Sequence, residues 1–326
     1  GAAAKVAAGG GDSGVDNGRG SSSSSRGASS RASASEALLE EAAREAQWRK
    51  DRPLLPTIDP AKLAEIVFGS GEEGKADKRL ERMFRMEENI NAGSGPRLYV
   101  PDVVVPPDAP EAATLPLLIY LPGLDGTGLA AYRQFPKLRT RFDLRNLFVP
   151  PGDRLGFEEL VNHVQGLLEK AASGIAPSRP VYLLGESFGG LLALALAERC
   201  DFIDRVVLVN PATSFADSPW PALGPALTQL PAQVYTTLPV VLSPVLANPL
   251  TMALNAINPD DPLPRKASDF LYGLLDLLQE LTALRIALPA ATLTHRLQVL
   301  KDGAQAVSGE PFLSRVPQRT LLLVGQ

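Results

Sequence analysis

Within six residues the chain reads Gly185-Glu186-Ser187-Phe188-Gly189-Gly190, and the order Gly-x-Ser-x-Gly suits attack of a serine hydroxyl on an acyl carbonyl. Such a hydroxyl is a poor nucleophile unless it is exposed, held near a base and flanked by amides that bind the developing oxyanion. A sharp strand-to-helix turn supplies the exposure, with glycines two residues either side giving room for strained backbone. Ser187 is therefore the predicted nucleophile. The oxyanion donors are expected from the residue after it and from the loop after an earlier strand. Here Leu117-Leu-Ile-Tyr-Leu-Pro-Gly-Leu-Asp-Gly-Thr-Gly128 leaves a strand through Pro122-Gly123, so the backbone N–H groups of Leu124 and Phe188 are the predicted pair. A five-residue pattern recurs by chance, and the surrounding elements decide.

Short runs rich in Val, Leu and Ile, bounded by Pro, Gly, Asn or Asp, predict buried strands at 115–122, 146–150, 180–185, 205–210 and 319–325. Helical patterns separate them. Over 157–172, Leu160, Val161, Val164, Leu167 and Leu168 fall on one stripe, as a crossover helix between parallel strands requires. Residues 188–200 are apolar nearly all round, which predicts a helix buried against the sheet. The expected fold is α/β, a mostly parallel doubly wound sheet with helices on both faces and Ser187 at the carboxyl end of a central strand.

One rival reading differs in class. Gly126-Thr-Gly128-Leu-Ala-Ala131 fits the dinucleotide fingerprint Gly-x-Gly-x-x-Ala. An acidic residue should then close the next strand about 20 residues on to bind the ribose. That strand ends in prolines, with Asp153 beyond it.

Four stretches in this order, Leu-Pro-Gly-Leu-Asp-Gly-Thr-Gly (121–128), Gly-Asp-Arg-Leu-Gly-Phe-Glu-Glu-Leu (152–160), Gly-Glu-Ser-Phe-Gly-Gly (185–190) and Asn-Pro-Ala-Thr-Ser-Phe (210–215), resemble the esterase/lipase/thioesterase family of plant and algal plastids, which includes the phytyl ester synthases. The similarity runs from about Gly95 onward. It implies an α/β-hydrolase fold and acyl transfer in the chloroplast, moving fatty acyl groups onto phytol or diacylglycerol, with hydrolysis as the version in which water accepts. Members of the family carry a further acyltransferase-like region after the hydrolase part, and nothing here matches it.

In α/β-hydrolases the order is Ser, then acid, then His, the acid following the strand after the cap. Residues 319–326 read as that strand, so the core is expected to be C-terminally truncated, with acid and base beyond Gln326. Neither histidine suits the base. His163 sits on the crossover helix before the nucleophile, and His295 is expected on a surface helix. Asp217, after the strand at 205–210, reads first as a solvated loop residue and second as the acid, the role it would take in hydrolases that use that strand. From the missing base follows the alternative that the chain is a non-catalytic lipid-binding module of hydrolase shape.

A helical cap is expected over about 213–316. From Ser218 to Pro259 there is no charged residue or histidine, which invites a transmembrane reading. Seven prolines between 219 and 249 argue for broken short helices instead. The later part, 267–287, sets Phe270, Leu271, Leu274, Leu275, Leu277, Leu278 and Leu281 on a wide apolar face. That face is either the cap's own core or the lining of an acyl-chain pocket. The expected partner is a lipid or acyl-thioester substrate, with peripheral membrane contact allowed.

The rest of the composition bounds the class. A net charge of −4 and 45% hydrophobic residues carry no nucleic-acid footprint. The lone cysteine, Cys200, excludes an internal disulfide and reads as core filler in a reducing compartment. No Cys/His cluster is present, so neither metal nor cofactor is expected. Residues 1–35 are Ala-, Gly- and Ser-rich with scattered Arg, a disordered transit-peptide-like segment. Residues 36–97 form an expected N-terminal helical extension, and 98–326 the incomplete hydrolase core. No initiating Met is present, so a fragment is expected at this end too.

Overall fold

The computed structural model describes residues 95–101, 103, 109–174, 179–218, 257–307 and 309–325, with a few isolated positions elsewhere. The segments 1–35 and most of 36–97 lie outside the described residues, as does most of the uncharged stretch 218–259. Six strands form one sheet: β1 (Arg97–Tyr99), β2 (Leu117–Leu121), β3 (Asp143–Phe148), β4 (Val181–Glu186), β5 (Arg205–Val209) and β6 (Arg319–Leu323). Their spatial order is β1-β3-β2-β4-β5-β6. Only β1 runs antiparallel, against β3; every other neighbouring pair is parallel.

The helices are α1 (Phe135–Arg139), α2 (Phe157–Ser173), α3 (Phe188–Arg199), α4 (Leu263–Ala287), α5 (Ala290–Val307) and α6 (Glu310–Leu313). Strand periodicity sorts β2 between two cores. Leu117, Ile119 and Leu121 join a large cluster with α2, α3 and α5, while Leu118 and Tyr120 face Phe135 and Leu144 on the other side. Burial on both faces is why β2 reads as one continuous apolar run. Helix α3 is buried from Phe188 to Ala197, because the sheet covers one side of it and α2 and α5 cover the rest. Cys200 ends this helix at 2% exposure, and burial pushes its thiol up to about 11.

Four elements differ from the sequence-based expectation: β1 forms at 97–99, where no strand is expected, β6, expected buried, is an edge strand exposed throughout, and β3 and α5 depart as follows. Strand β3 starts at Asp143, three residues before the apolar run, because its charges are neutralised in place. Arg179 pairs with the buried Asp143 carboxylate at 2.6 Å, and Arg145 pairs with it at 3.1 Å. Arg179 also donates to the Leu115 carbonyl, tying together the amino ends of β2, β3 and β4. Helix α5, expected at the surface for its His295, packs instead against α3 and α2. Its buried stripe is Thr292, Arg296, Val299, Leu300, Gly303, Ala304 and Val307.

Along α4, Phe270, Leu271, Leu274, Leu275 and Leu277 are half-buried, and the side chains of Leu278 and Leu281 fall outside the described residues. Among the described residues no helix is long and apolar enough to cross a membrane.

Candidate active site

Strands β3 and β4 lie on opposite sides of β2, so the loops leaving β2 and β4 flank a crevice at their carboxyl ends, the usual ligand position in an open parallel sheet. Ser187 stands at the end of β4 with φ 51° and ψ −113°. This is a conformation that side chains with a Cβ adopt only under constraint. Three hydrogen bonds impose it. The Ser187 N–H donates to the Val209 carbonyl at 2.9 Å, and the Ser187 carbonyl accepts from Gly190 at 3.0 Å and from Ala212 at 3.1 Å. Close packing holds the elbow as well: a Cβ on Gly185 would lie 2.3 Å from the Gly189 carbonyl oxygen.

The loop after β2 opens with a turn closed by Gly126 N–H donating to the Gly123 carbonyl at 3.0 Å, and Gly126 takes φ 68°. Turn and elbow adjoin, since a side chain at 123 would begin 3.7 Å from the Ser187 Cβ. Leu124 and Phe188 line one cavity with Gly123, Asp153, Leu155, His295 and Arg296. Phe188 is the first residue of α3, where backbone N–H groups have no partner inside the helix. Among the described residues the hydrogen bonds that close turn and elbow engage neither the Leu124 nor the Phe188 amide. All three predicted site residues are therefore brought together.

The remainder of the loop answers the dinucleotide reading. One Asp125 carboxylate oxygen accepts from the amides of Thr127 at 2.9 Å, Gly128 at 3.0 Å and Leu129 at 3.4 Å, and from the Thr127 hydroxyl. The N–H groups that would cradle a pyrophosphate are thus already paired with an internal anion. Asn146, fully buried in β3, donates to the Thr127 carbonyl and to the Tyr99 hydroxyl, both at 2.7 Å. A short antiparallel strand and an internal asparagine together hold this loop in place.

Neither histidine hydrogen-bonds Ser187. His163 Nε2 contacts the Pro96 carbonyl at 2.8 Å and His295 Nε2 the Leu155 carbonyl at 3.1 Å. Asp217 is exposed at the end of the 3₁₀ turn after β5. Asp153 is 7% exposed, and burial lifts its carboxyl above the ordinary range. Among the described residues no cluster of three His, Cys, Asp or Glu could hold a metal.

Four polar residues of the site escaped sequence reasoning: Tyr120, Asp125, Asn146 and Arg296. Helical spacing marks Arg296, because it lies on the same stripe as Thr292, Val299 and Leu300. The Tyr120 hydroxyl donates to Glu186, the residue before the serine. Burial raises the Glu186 carboxyl above its ordinary 4.5 and holds the Tyr120 phenol well above its usual range.

A pH effect follows with a definite sign. A carboxyl whose folded pKa is raised binds its proton more tightly in the folded state, so its contribution to stability falls as pH climbs from 4.5 through the raised value. Glu186→Gln, which keeps an acceptor for Tyr120, is expected to lose less thermal stability than the parent as pH is raised from that point toward neutrality. Melting curves of the two proteins that run parallel across this range would contradict it.

A family model described as Hydrolase_4, serine aminopeptidase S33, matches residues 151–294. Phytyl ester synthase 1, chloroplastic, of Arabidopsis thaliana is 34% identical over 238 residues, 71% of this chain and 33% of that protein. Phytyl ester synthase 2, chloroplastic, of the same plant is 31% identical over 277 residues, 81% of this chain and 38% of that protein. The chain thus spans 33–38% of the length of the curated relatives it matches. Among solved structures, a hydrolase from Pseudomonas aeruginosa PA01 aligns with a TM-score of 0.45 at 20% identity, covering 71% of this chain and 75% of its own.

Proposed function

We propose, for a chain that belongs to the α/β-hydrolases and among them to the plastid esterase/lipase/thioesterase family, that Ser187 is the nucleophile of an acyl-transfer reaction on long-chain acyl esters or thioesters. The hydroxyl oxygen attacks the acyl carbonyl and gives up its proton. The tetrahedral oxyanion is held by the Leu124 and Phe188 amides, and collapse expels the alcohol or thiol to leave an acyl-serine. A lipid alcohol of the phytol or diacylglycerol kind, or water, then takes the acyl group. The proton passes to the reaction's general base and from it to the departing alkoxide or thiolate; His163 and His295, which contact the Pro96 and Leu155 carbonyls and not Ser187, are not placed to be that base. The relatives' names carry the word chloroplastic, and a plastid location is proposed here too.

The observation that carries the reading is the strained serine at φ 51° beside a turn whose Leu124 amide is not engaged by the backbone among the described residues. Its test is direct. The protein is incubated with a long-chain acyl thioester, quenched in acid, and weighed intact. An acyl adduct mapping to the peptide that contains Ser187, and missing from Ser187→Ala, is expected. An adduct on another residue, or none, would refute acyl transfer at this site. Retained binding of the thioester without any adduct would instead support a lipid-binding module, the reading favoured by the lack of a histidine bonded to Ser187.

A further inference from the structure

Arg296 is 7% exposed and projects from α5 into the seam between the loops that end β2 and β3. Its Nη1 donates to the Leu124 carbonyl at 2.5 Å, and its Nη2 donates to the carbonyls of Val149 at 2.7 Å and Pro150 at 3.1 Å. The guanidinium fills the space that a Cβ on Gly126 would need, at 2.7 Å from Nη1. The same helix fastens the second loop twice more, through Thr292 to the Pro151 carbonyl at 2.7 Å and through His295 to the Leu155 carbonyl. Burial lowers the guanidinium to about 10, with Asp125 and Asp153 opposing the fall, so it remains charged at neutral pH.

Resting on the reading of Leu124 as an oxyanion donor, we propose that Arg296 is a positioning residue for the reaction: it fixes the Gly123–Gly126 turn so that the Leu124 N–H keeps its aim at the acyl oxygen. A β-turn of this kind has alternative states in which its peptides rotate about the flanking Cα atoms; the Leu124 N–H lies in the peptide from Gly123, and its direction is coupled through the Leu124 Cα to the central peptide that joins Leu124 to Asp125. The Leu124 carbonyl belongs to that peptide. While the guanidinium holds it, rotation would leave a buried charge short of an acceptor, which is costly. A planar fork can grip the Leu124 carbonyl and the end of β3 together, whereas an ammonium is a single point charge. Oxyanion stabilisation depends on donors already in place before the charge develops. A helix far along the chain thereby sets the donor geometry at the serine.

The test uses Arg296→Met and Arg296→Lys, with p-nitrophenyl octanoate as substrate, octylboronic acid as tetrahedral mimic, and backbone hydrogen exchange over residues 121–129. For Arg296→Met, kcat is expected to fall about 10²-fold with little change in KM, the scale of losing one oxyanion donor. The boronic acid should weaken in step, and amides in 121–129 should exchange faster while those of β4 and α3 do not. Arg296→Lys is expected to fall between the parent and Arg296→Met, and it serves as the working variant if the methionine protein does not fold. Unchanged exchange in 121–129, or a rise in KM with kcat intact, would overturn the proposal. If turnover survives Ser187→Ala, the acyl-transfer reading fails instead, and exchange over 121–129 alone decides the role of Arg296 in the turn.

Discussion

Ser187→Ala is expected to lower kcat/KM on a long-chain ester by about 10⁴-fold or more, the scale seen when a serine nucleophile is removed, with the melting temperature nearly unchanged. Alanine keeps the Cβ, so the backbone at φ 51° and ψ −113° is strained as before. Glycine separates the two effects. Ser187→Gly should be equally inactive, yet more stable by up to about 2.5 kcal/mol. Strain of this kind costs roughly 1–3 kcal/mol, whereas the extra freedom of glycine in the unfolded chain costs only about 0.5–1 kcal/mol. Urea denaturation of the three proteins measures the difference. If Ser187→Ala kept activity within tenfold of the parent, Ser187 could not be the nucleophile; a less stable Ser187→Gly would deny that the elbow stores strain.

The second large effect is on stability alone. A Cβ on Gly189 would lie 2.0 Å from the carbonyl oxygen of Leu121 and 2.7 Å from that of Pro122, both backbone atoms of the strand end that carries the turn. No rotamer change relieves such a clash. Helix α3 would have to lift from β2, opening the cluster around Leu191, Leu192 and Leu196, each at 0–1% exposure. Gly189→Ala is therefore expected to destabilise the protein by about 3 kcal/mol or more, at or beyond the usual range for overpacking. Gly166 supplies the contrast. It sits in the exposed middle of α2 with open space where a Cβ would go, so Gly166→Ala should stabilise by about 0.5–1 kcal/mol. Equal midpoints in urea for the two variants would show that helix propensity, not approach to the strand, governs position 189.

Chain pattern revealed those parts of the molecule whose causes are local. Strands β2, β4 and β5 announce themselves because apolar residues follow one another, buried throughout in β2 and at alternate positions in β4 and β5, and α2 because its apolar stripe is set off by surface charge. Where a distant partner supplies the cause, the pattern misleads. Asp143 and Arg145 look like loop until Arg179 neutralises the carboxylate. Three residues suffice for β1 only because β3 lies alongside. His295 and Arg296 resemble a solvated helix face, and only the carbonyls at 124, 149, 150 and 155 make that face an interior one. At the site the same division holds. Glycine and serine spacing located the elbow, whereas the bonds from Asp125, Asn146 and Arg296 that hold the neighbouring loop depend on three-dimensional closure.

The hydrogen bond from Arg296 to Leu124 joins residues 172 positions apart, and this separation orders events in time. Domains made on a ribosome begin to fold from their amino end, and contacts that close long loops come late. Strands β2 to β5 and helix α3 can assemble from residues 117–209, which carry the serine and its elbow, while residue 296 has yet to be joined to the chain. A nascent chain thus holds Ser187 and its elbow before it holds the grip on the turn beside it, and completion of that turn is deferred to synthesis of α5.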